Sequence, residues 1–536
     1  MTSQQLPAVG TRLIHSGHLG TVKFAGQVDG TGTAGVWLGV EWDDPERGKH
    51  DGVKDGRRYF SCVVPNAGSF IRPSAHISYG HTFLQALITK YVDIPHGSGL
   101  EKVVLGSSNG AIEVEAVGLD RIRGKLAHLE RLREVSLDGE GVASADPPGT
   151  IAKRCPGIRG LDLSKNPLPS WDVVSAITNE LPHLQRLALN QSRLQPATDH
   201  ERALGAFRCV FELQVNTTLM QWNAVQDIIR YMPALRVMEL GYNRIQSLSA
   251  GQTSHTSLEE LNLDSNLLSS WSDICAALRP YTALQRLVLT SNAIEFLGPI
   301  PDPSDPPLPR LKHLSLSFNK FSSWHDIDHL TGWCPAIESL TLSGNPLFEG
   351  KLLDADIGRT ARPFAIARIP TLTVLDAANI SAKERTDSEL FYLSWVNKHG
   401  PPDEEARRRE HPRWSALCEK HGRPDTAQSA AHQRQDTLSS RLVEVKLYRM
   451  DAMPEGRARP PTSNPIVLRV LPSMNVRTFY FKVIKCFKVP KAAQPSVRLW
   501  LRMPDDRLVE IERDDTHDLD WWGIENGVEL FTFAEL

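Results

Sequence analysis

The chain has 536 residues, 41% hydrophobic and 23% charged, with 60 Lys and Arg against 63 Asp and Glu. That length exceeds what one core sustains and implies roughly three or four domains of an ordinary folded protein. The near balance of charge argues against nucleic acid as the main ligand, and no apolar run reaches the ~20 residues of a membrane-spanning helix. The polar start, Met1 to Val9, has no apolar segment resembling a secretory signal. Seven cysteines (Cys62, Cys155, Cys209, Cys275, Cys334, Cys418 and Cys486) lie far apart without a Cys-x-x-Cys pair. This speaks against a zinc or redox motif and for a reducing, cytoplasmic compartment.

From about Leu6 to Tyr79, glycines separate short apolar and aromatic runs: Arg12-Leu13-Ile14, Gly20 to Phe24, Val36 to Val40, Arg58-Tyr59-Phe60 and Ser69-Phe70-Ile71. Such spacing predicts a small twisted all-β barrel. Gly48-Lys49-His50-Asp51-Gly52 is turn-prone at both ends and displays Lys49 and His50 beside the aromatics. A lysine donor, an imidazole and aromatic walls suit a chain-terminal carboxylate followed inward by acidic residues.

That run, together with Gly56 to Cys62 and Gly68-Ser69-Phe70-Ile71-Arg72-Pro73, resembles a CAP-Gly domain. The resemblance implies recognition of Glu-Glu-Tyr or Glu-Glu-Phe C-termini, such as that of α-tubulin. It implies Phe24, Trp37, Trp42, Lys49, His50, Gly52, Phe60, Phe70 and Arg72 as the tail-binding residues. The common form of the motif carries Asn at its centre, so His50 is a departure. A ring nitrogen there keeps a hydrogen bond and introduces a group expected to titrate near neutral pH.

The next stretch is governed by a period. The template L-x-x-L-x-L-x-x-N-x-L recurs from starts at 158, 184, 210, 235, 258, 284, 311 and 337, which are 26, 26, 25, 23, 26, 27 and 26 residues apart. Asn166, Asn243, Asn266, Asn292, Asn319 and Asn345 occupy the Asn place, with Ser192 and Thr218 in degenerate copies. This predicts an α/β leucine-rich-repeat solenoid in which each unit adds a short strand to one parallel sheet. A weaker unit at Leu132, Val135 and Leu137 opens the array, and Leu372, Leu375 and the segment to Leu393 close it. Ser170-Trp171, Ser270-Trp271 and Ser323-Trp324, with Gln221-Trp222 as a variant, place one tryptophan per repeat at a helix start. Packing between strand and helix is the expected role of these rings.

Residues alternating with the leucines face the concave side. They include Arg186, Asn190, Gln214, Glu239, Glu260, Asn262, Asp264, Arg286, Thr290, His313, Ser315 and Thr341, a mixed-charge surface suited to protein. Arg186, Glu239, Glu260, Asp264 and Arg286 are the candidate contacts.

Residues 397–440 turn polar and read as a helix, with the basic triplet Arg407-Arg408-Arg409 on a solvated face, followed by a linker through Gln428 to Gln435. Strand-like runs then appear at Leu442–Leu447, Ile466–Leu471, Val497–Leu501 and Val528–Phe531, with helical spacing over Val476–Val489. The order β-β-α-β-β resembles an α+β ubiquitin-like, β-grasp fold, and the end Phe533 to Leu536 has no Gly-Gly for conjugation. Expected boundaries are 1–85, 86–396, 397–440 and 441–536.

The order of these modules, with the closing segment Asn379 to Arg385, is similar to that of the tubulin-folding cofactors. This similarity implies a non-catalytic cytoplasmic, cytoskeleton-associated chaperone whose partners are α-tubulin, the α/β-tubulin heterodimer and other tubulin-folding cofactors. Two alternatives stand beside it. One is a CAP-Gly microtubule-associated adaptor, although no sustained heptad run is present; the other is a ubiquitin-pathway scaffold reaching proteasome or ubiquitin-receptor components. No P-loop, Gly-x-Ser-x-Gly or His-Glu-x-x-His supports an enzyme, a cofactor or a metal.

Overall fold

The computed structural model describes residues 6–29, 35–74, 76–93, 102–105, 112–115, 128–251, 255–300, 302–348, 357–424, 442–450, 452–454, 464–503, 506–513 and 517–533. It divides into two units, Met1–Tyr392 and Leu393–Leu536.

The first unit begins with an antiparallel five-stranded sheet in the order Gly68–Ile71, Val36–Trp42, His18–Gln27, Arg12–His15, Ile77–Ser78. Leu13, Val22, Leu38, Val40 and Trp42 form its small core. The module is fastened to the repeats rather than strung before them. Strand His81–Thr82 pairs in parallel with Val142–Ser144. Helix Phe83–Ile88, capped by the Thr82 hydroxyl at Gln85 N–H (3.3 Å), buries Phe83, Leu84, Ala86 and Leu87 in the solenoid core. Asp43 closes the junction: it is bound by Arg12 from its own module and approached at 3.7 Å by Arg193 from the second full repeat.

The solenoid carries an eleven-stranded sheet from Glu134–Ser136 to Ala378–Asn379, parallel throughout except at its last pair. Three-residue strands such as Arg186–Ala188 and Glu260–Asn262 keep their central Leu buried. The template asparagines form a ladder. Asn266 Nδ2 donates to the carbonyls of Leu240 (3.0 Å) and Leu263 (3.0 Å), while its Oδ1 accepts from the N–H groups of Asn243 (3.1 Å) and Ile245 (3.0 Å). Backbone groups that would be orphaned where the chain leaves the sheet are thereby satisfied across two repeats. In the degenerate copies Thr218 still reaches Val215 and Asn243, whereas the buried Ser192 hydroxyl has no partner among the described residues. The residue before each ladder position takes a left-handed conformation, as in Lys165, Tyr242, Ser265, Ser291 and Phe318, so this strain belongs to the repeat itself.

Trp171, Trp222 and Trp271 are buried and Trp324 is partly buried against the same core, as expected of rings between strand and helix. Ser270 and Ser323 cap their helices, accepting from the N–H groups of Asp273 (3.3 Å) and His325 (3.1 Å). At the far end the chain turns through Ala378–Asn379, Ser381 accepts from Glu384 N–H (3.1 Å), and Arg385 donates to the carbonyl of Ile366 (3.1 Å).

In the second unit, two short helices, Glu404–Glu410 and Trp414–His421, occupy the start of the polar stretch. Arg407 lies 5.0 Å over the Trp414 ring and Arg408 pairs with Glu404 at 3.5 Å, so part of the basic triplet serves local packing. The run Gln428 to Gln435 lies outside the described residues. Beyond it stands a mixed five-stranded sheet in the order Ile466–Val470, Val443–Arg449, Glu529–Phe533, Arg498–Arg502, Leu508–Ile511, with Val443–Arg449 and Glu529–Phe533 parallel. Helix Val476–Cys486 packs Val476, Phe479, Tyr480 and Val483 on one face of it. This is the β-grasp arrangement. Leu508–Ile511 is a strand that the sequence pattern did not reveal, because four residues at a sheet edge carry too little alternation to register.

Candidate binding site

A cavity of about 930 Å³ opens in the first module, walled by Trp37, Trp42, Phe70 and Ile71 and edged by Arg47, Lys49, His50 and the ion pair Lys54–Asp55 (3.6 Å). The Gly48–Gly52 run builds its rim. Gly48 passes so close to the backbone of Asn66 and Ala67 that a Cβ would overlap them. Gly52 has φ +93° and lies against the Phe60 carbonyl, a conformation and a spacing open only to glycine. Between them the backbone of Lys49 and His50 pairs with Gly68 (2.8 to 3.2 Å), which fixes where both side chains emerge.

Of the nine residues expected from sequence, Trp37, Trp42, Lys49, His50 and Phe70 line the cavity. Phe60 and Gly52 stand behind it. The buried Phe60 ring meets Phe70 at 5.4 Å and His50 at 6.0 Å, and the Gly52 N–H bonds to His50 Nδ1 at 3.0 Å. Phe24 meets the Phe70 ring edge-on at 6.4 Å and Arg72 stacks over Trp37 at 4.4 Å, so both touch the wall without being among the lining residues. Phe70 is the common ring, since Phe24, Tyr59, Phe60 and His50 all pack on it.

Arg47 and Lys54 were not anticipated. Arg47 ends a short 3₁₀ turn, Pro45–Arg47, donates to His15 Nδ1 (2.7 Å) and lies 4.1 Å over the Trp42 ring. The available signal was its place just before Gly48.

The charges around the cavity are unevenly matched. Lys49 is exposed and has no ion-pair partner among the described residues, whereas Asp51 is held by Arg58 (2.9 Å) and Glu41 by Lys23 (3.0 Å). Arg58 also draws the Asp51 carboxyl below the usual carboxylate range. Trp37 and Trp42 each carry a buried indole N–H with no partner among the described residues. An unpaired lysine at the edge of an aromatic wall suits an anionic ligand with oxygen acceptors.

The expected concave residues fall along the repeat sheet in register, with Arg186 beside Glu212, Glu239 beside Asn262, and Glu260 beside Arg286. Most already have partners: Arg186 with Glu134, Arg286 with Glu260 (3.4 Å), and Glu239 with Asn262 (2.6 Å). Burial pushes the Glu239 carboxyl up, aided by Glu212, Glu260 and Asp264 and opposed by the Asn262 hydrogen bond.

A glycine-built cationic notch, docked on a leucine-rich-repeat solenoid, with a β-grasp domain elsewhere in the chain, defines a multidomain protein of the CAP-Gly class. Residues 9–76 match the CAP-Gly domain. Over 538 residues the chain is 32% identical to the tubulin-specific chaperone E of Bos taurus, with 97% of each covered. It is 29% identical to the tubulin-folding cofactor E of Arabidopsis thaliana, with 81% of each covered. The solution structure of the C-terminal ubiquitin-like domain of mouse tubulin-specific chaperone E matches 19% of this chain and 94% of that one, at 19% identity and a TM-score of 0.15. The chain belongs to the tubulin-specific chaperone E family.

Proposed function

We propose that this protein is a non-catalytic tubulin-folding chaperone of the cytoplasm and cytoskeleton. It grips the acidic C-terminal tail of α-tubulin in the notch, holds the body of the same client on the repeats, and works with other tubulin cofactors in joining and separating the α/β-tubulin heterodimer. The unpaired Lys49, exposed at the rim of the cavity beside Arg47 and the Lys54–Asp55 pair, carries the reading, because it is a cation without a carboxylate partner among the described residues. In this scheme residues 1–85 take the tail and 86–396 the body, with Arg186, Glu239, Glu260, Asp264 and Arg286 on the contact face. Residues 397–440 connect to a docking module at 441–536. Two weak contacts on one client act as a strong one through effective concentration. The test is calorimetric titration of the full chain with intact α-tubulin and with α-tubulin lacking its last residues. Markedly weaker binding of the truncated client is expected, and equal binding would discard tail capture.

A further inference from the structure

One edge of the solenoid is built by the residues that flank each ladder asparagine. In four successive repeats the residue before it is Tyr242, Ser265, Ser291 and Phe318. These places are joined side by side, because the N–H groups of Tyr242, Ser265 and Ser291 donate to the carbonyls of Asp264, Thr290 and Ser317 at 2.9 Å. All four take positive φ, between 52° and 61°, and Gly344 fills the same place in the next repeat at +73°. A bulky side chain is disfavoured in that conformation. Serine and glycine serve it equally well in the neighbouring repeats, so the fold has no need of an aromatic there.

Tyr242 is nonetheless 57% exposed, Phe318 61%, and Leu267, just after Asn266, 49%. Rings left in water add little to the stability of the chain. The Phe318 ring is braced along the edge against Gly344, where any Cβ would overlap it. With adjacent strands ~4.8 Å apart, the strip from Tyr242 to Phe318 is roughly 14 Å long.

The edge starts at the notch-bearing module. Gly80 lies close against Pro167, and Asp43, next to the cavity residue Trp42, is approached at 3.7 Å by Arg193. Pro167 and Arg193 follow the ladder places of the first two full repeats, so the first module occupies the head of this edge. Tyr242 comes two repeats after Arg193, roughly 10 Å farther on. A disordered tail of ten residues spans roughly 17 Å, so a protein tethered by its tail in the notch has its body within reach of the strip. Arg244, beside Tyr242, is exposed and has no ion-pair partner among the described residues, which favours an acidic partner.

We propose that Tyr242, Leu267 and Phe318 form an apolar docking strip for the folded body of the client whose acidic tail occupies the notch. This rests on the tail-capture reading and adds the apolar contact that the charge-paired concave face lacks.

The test titrates the full chain calorimetrically with whole α-tubulin and with a synthetic peptide ending Glu-Glu-Tyr. Tyr242→Ser combined with Phe318→Gly installs the residue types that neighbouring repeats carry at the same place, so melting should shift by no more than about two degrees. Affinity for whole α-tubulin should fall roughly tenfold or more, while peptide affinity stays within about twofold. Leu267→Gln, similar in size but polar, should weaken the whole client by roughly threefold. Unchanged client affinity in both variants overturns the proposal, as does an equal loss for peptide and client. A double variant that melts far lower assigns the rings to the fold, and a wild-type dimer that the double variant dissolves, read by sedimentation, assigns the strip to a second copy of the chain; either result overturns it. Absence of peptide binding to the wild-type chain refutes tail capture alone. Client lacking its last residues then still judges the strip, because its remaining affinity should drop in the double variant.

Discussion

The notch of the first module and the concave face of the repeats are both polar, yet they differ in whether their charges are already paired. Lys49 has no ion-pair partner among the described residues and stands at the edge of an open cavity. On the repeat face Glu239 and Arg286 have partners in neighbouring strands, and Arg186 pairs with Glu134 two strands away. A ligand entering the notch gains contacts that the free protein lacks. A ligand on the repeat face must exchange partners, and exposed ion pairs are worth only ~0–1 kcal/mol each. Specificity therefore concentrates in the notch, and the repeats contribute through area and geometry.

The contrast is tested most directly at Lys49. Lys49→Glu should weaken binding of a Glu-Glu-Tyr peptide by roughly a hundredfold or more, within the about 2–5 kcal/mol that losing one partner of a charge pair buried on binding costs. Circular dichroism and melting should stay unchanged, because the side chain is exposed; retained affinity would leave the notch without its main charge. Next in size is Asn266→Ala, which strips a buried residue from the ladder and should destabilise the chain by roughly 2–4 kcal/mol. Urea unfolding reads this directly, and a loss of only a few tenths would mean the ladder is not what sustains the repeats.

Removing acids from the concave face should do less. Glu239→Ala combined with Asp264→Ala is expected to change affinity for whole α-tubulin by roughly threefold to tenfold and to leave peptide affinity untouched. A peptide effect as large as the client effect would erase the division of labour. Smallest is a pH effect on stability. The Glu239 carboxyl is raised above its ordinary 4.5, so its burial favours the protonated form; that contribution is present below pH 4.5 and lost as pH rises through the folded value. Glu239→Gln should therefore melt slightly higher than wild type at pH 7, with the difference gone by pH 4. A variant that melts lower at pH 7 would show instead that the Asn262 bond outweighs the burial.

Much of the solenoid was legible because each repeat is one structural unit. Leu161, Leu187, Leu261 and Leu287 recur at the period of the fold, and Asn266 or Asn319 marks where each strand ends. The glycines of the notch were legible for a related reason, since Gly48 and Gly52 sit where no Cβ fits. Phe24 and Arg72 were placed in the site by motif; each touches a ring of the wall, Phe70 and Trp37 respectively, without itself lining the cavity, a distinction that order along the chain does not carry.

The sequence by itself determined the three module types, the strand register of the repeats and the cationic, aromatic character of the notch. All of these follow from side-chain periodicity and from local backbone preference, which neighbouring residues settle among themselves. Only the tertiary structure decided that Arg193 reaches Asp43 to help lock the first module onto the repeats, that Arg47 covers Trp42, and that the Gly52 N–H meets His50 Nδ1. Those outcomes depend on which groups meet after the chain has folded, where a hydrogen bond or a charge acts through space at a few ångströms and sequence spacing no longer measures distance.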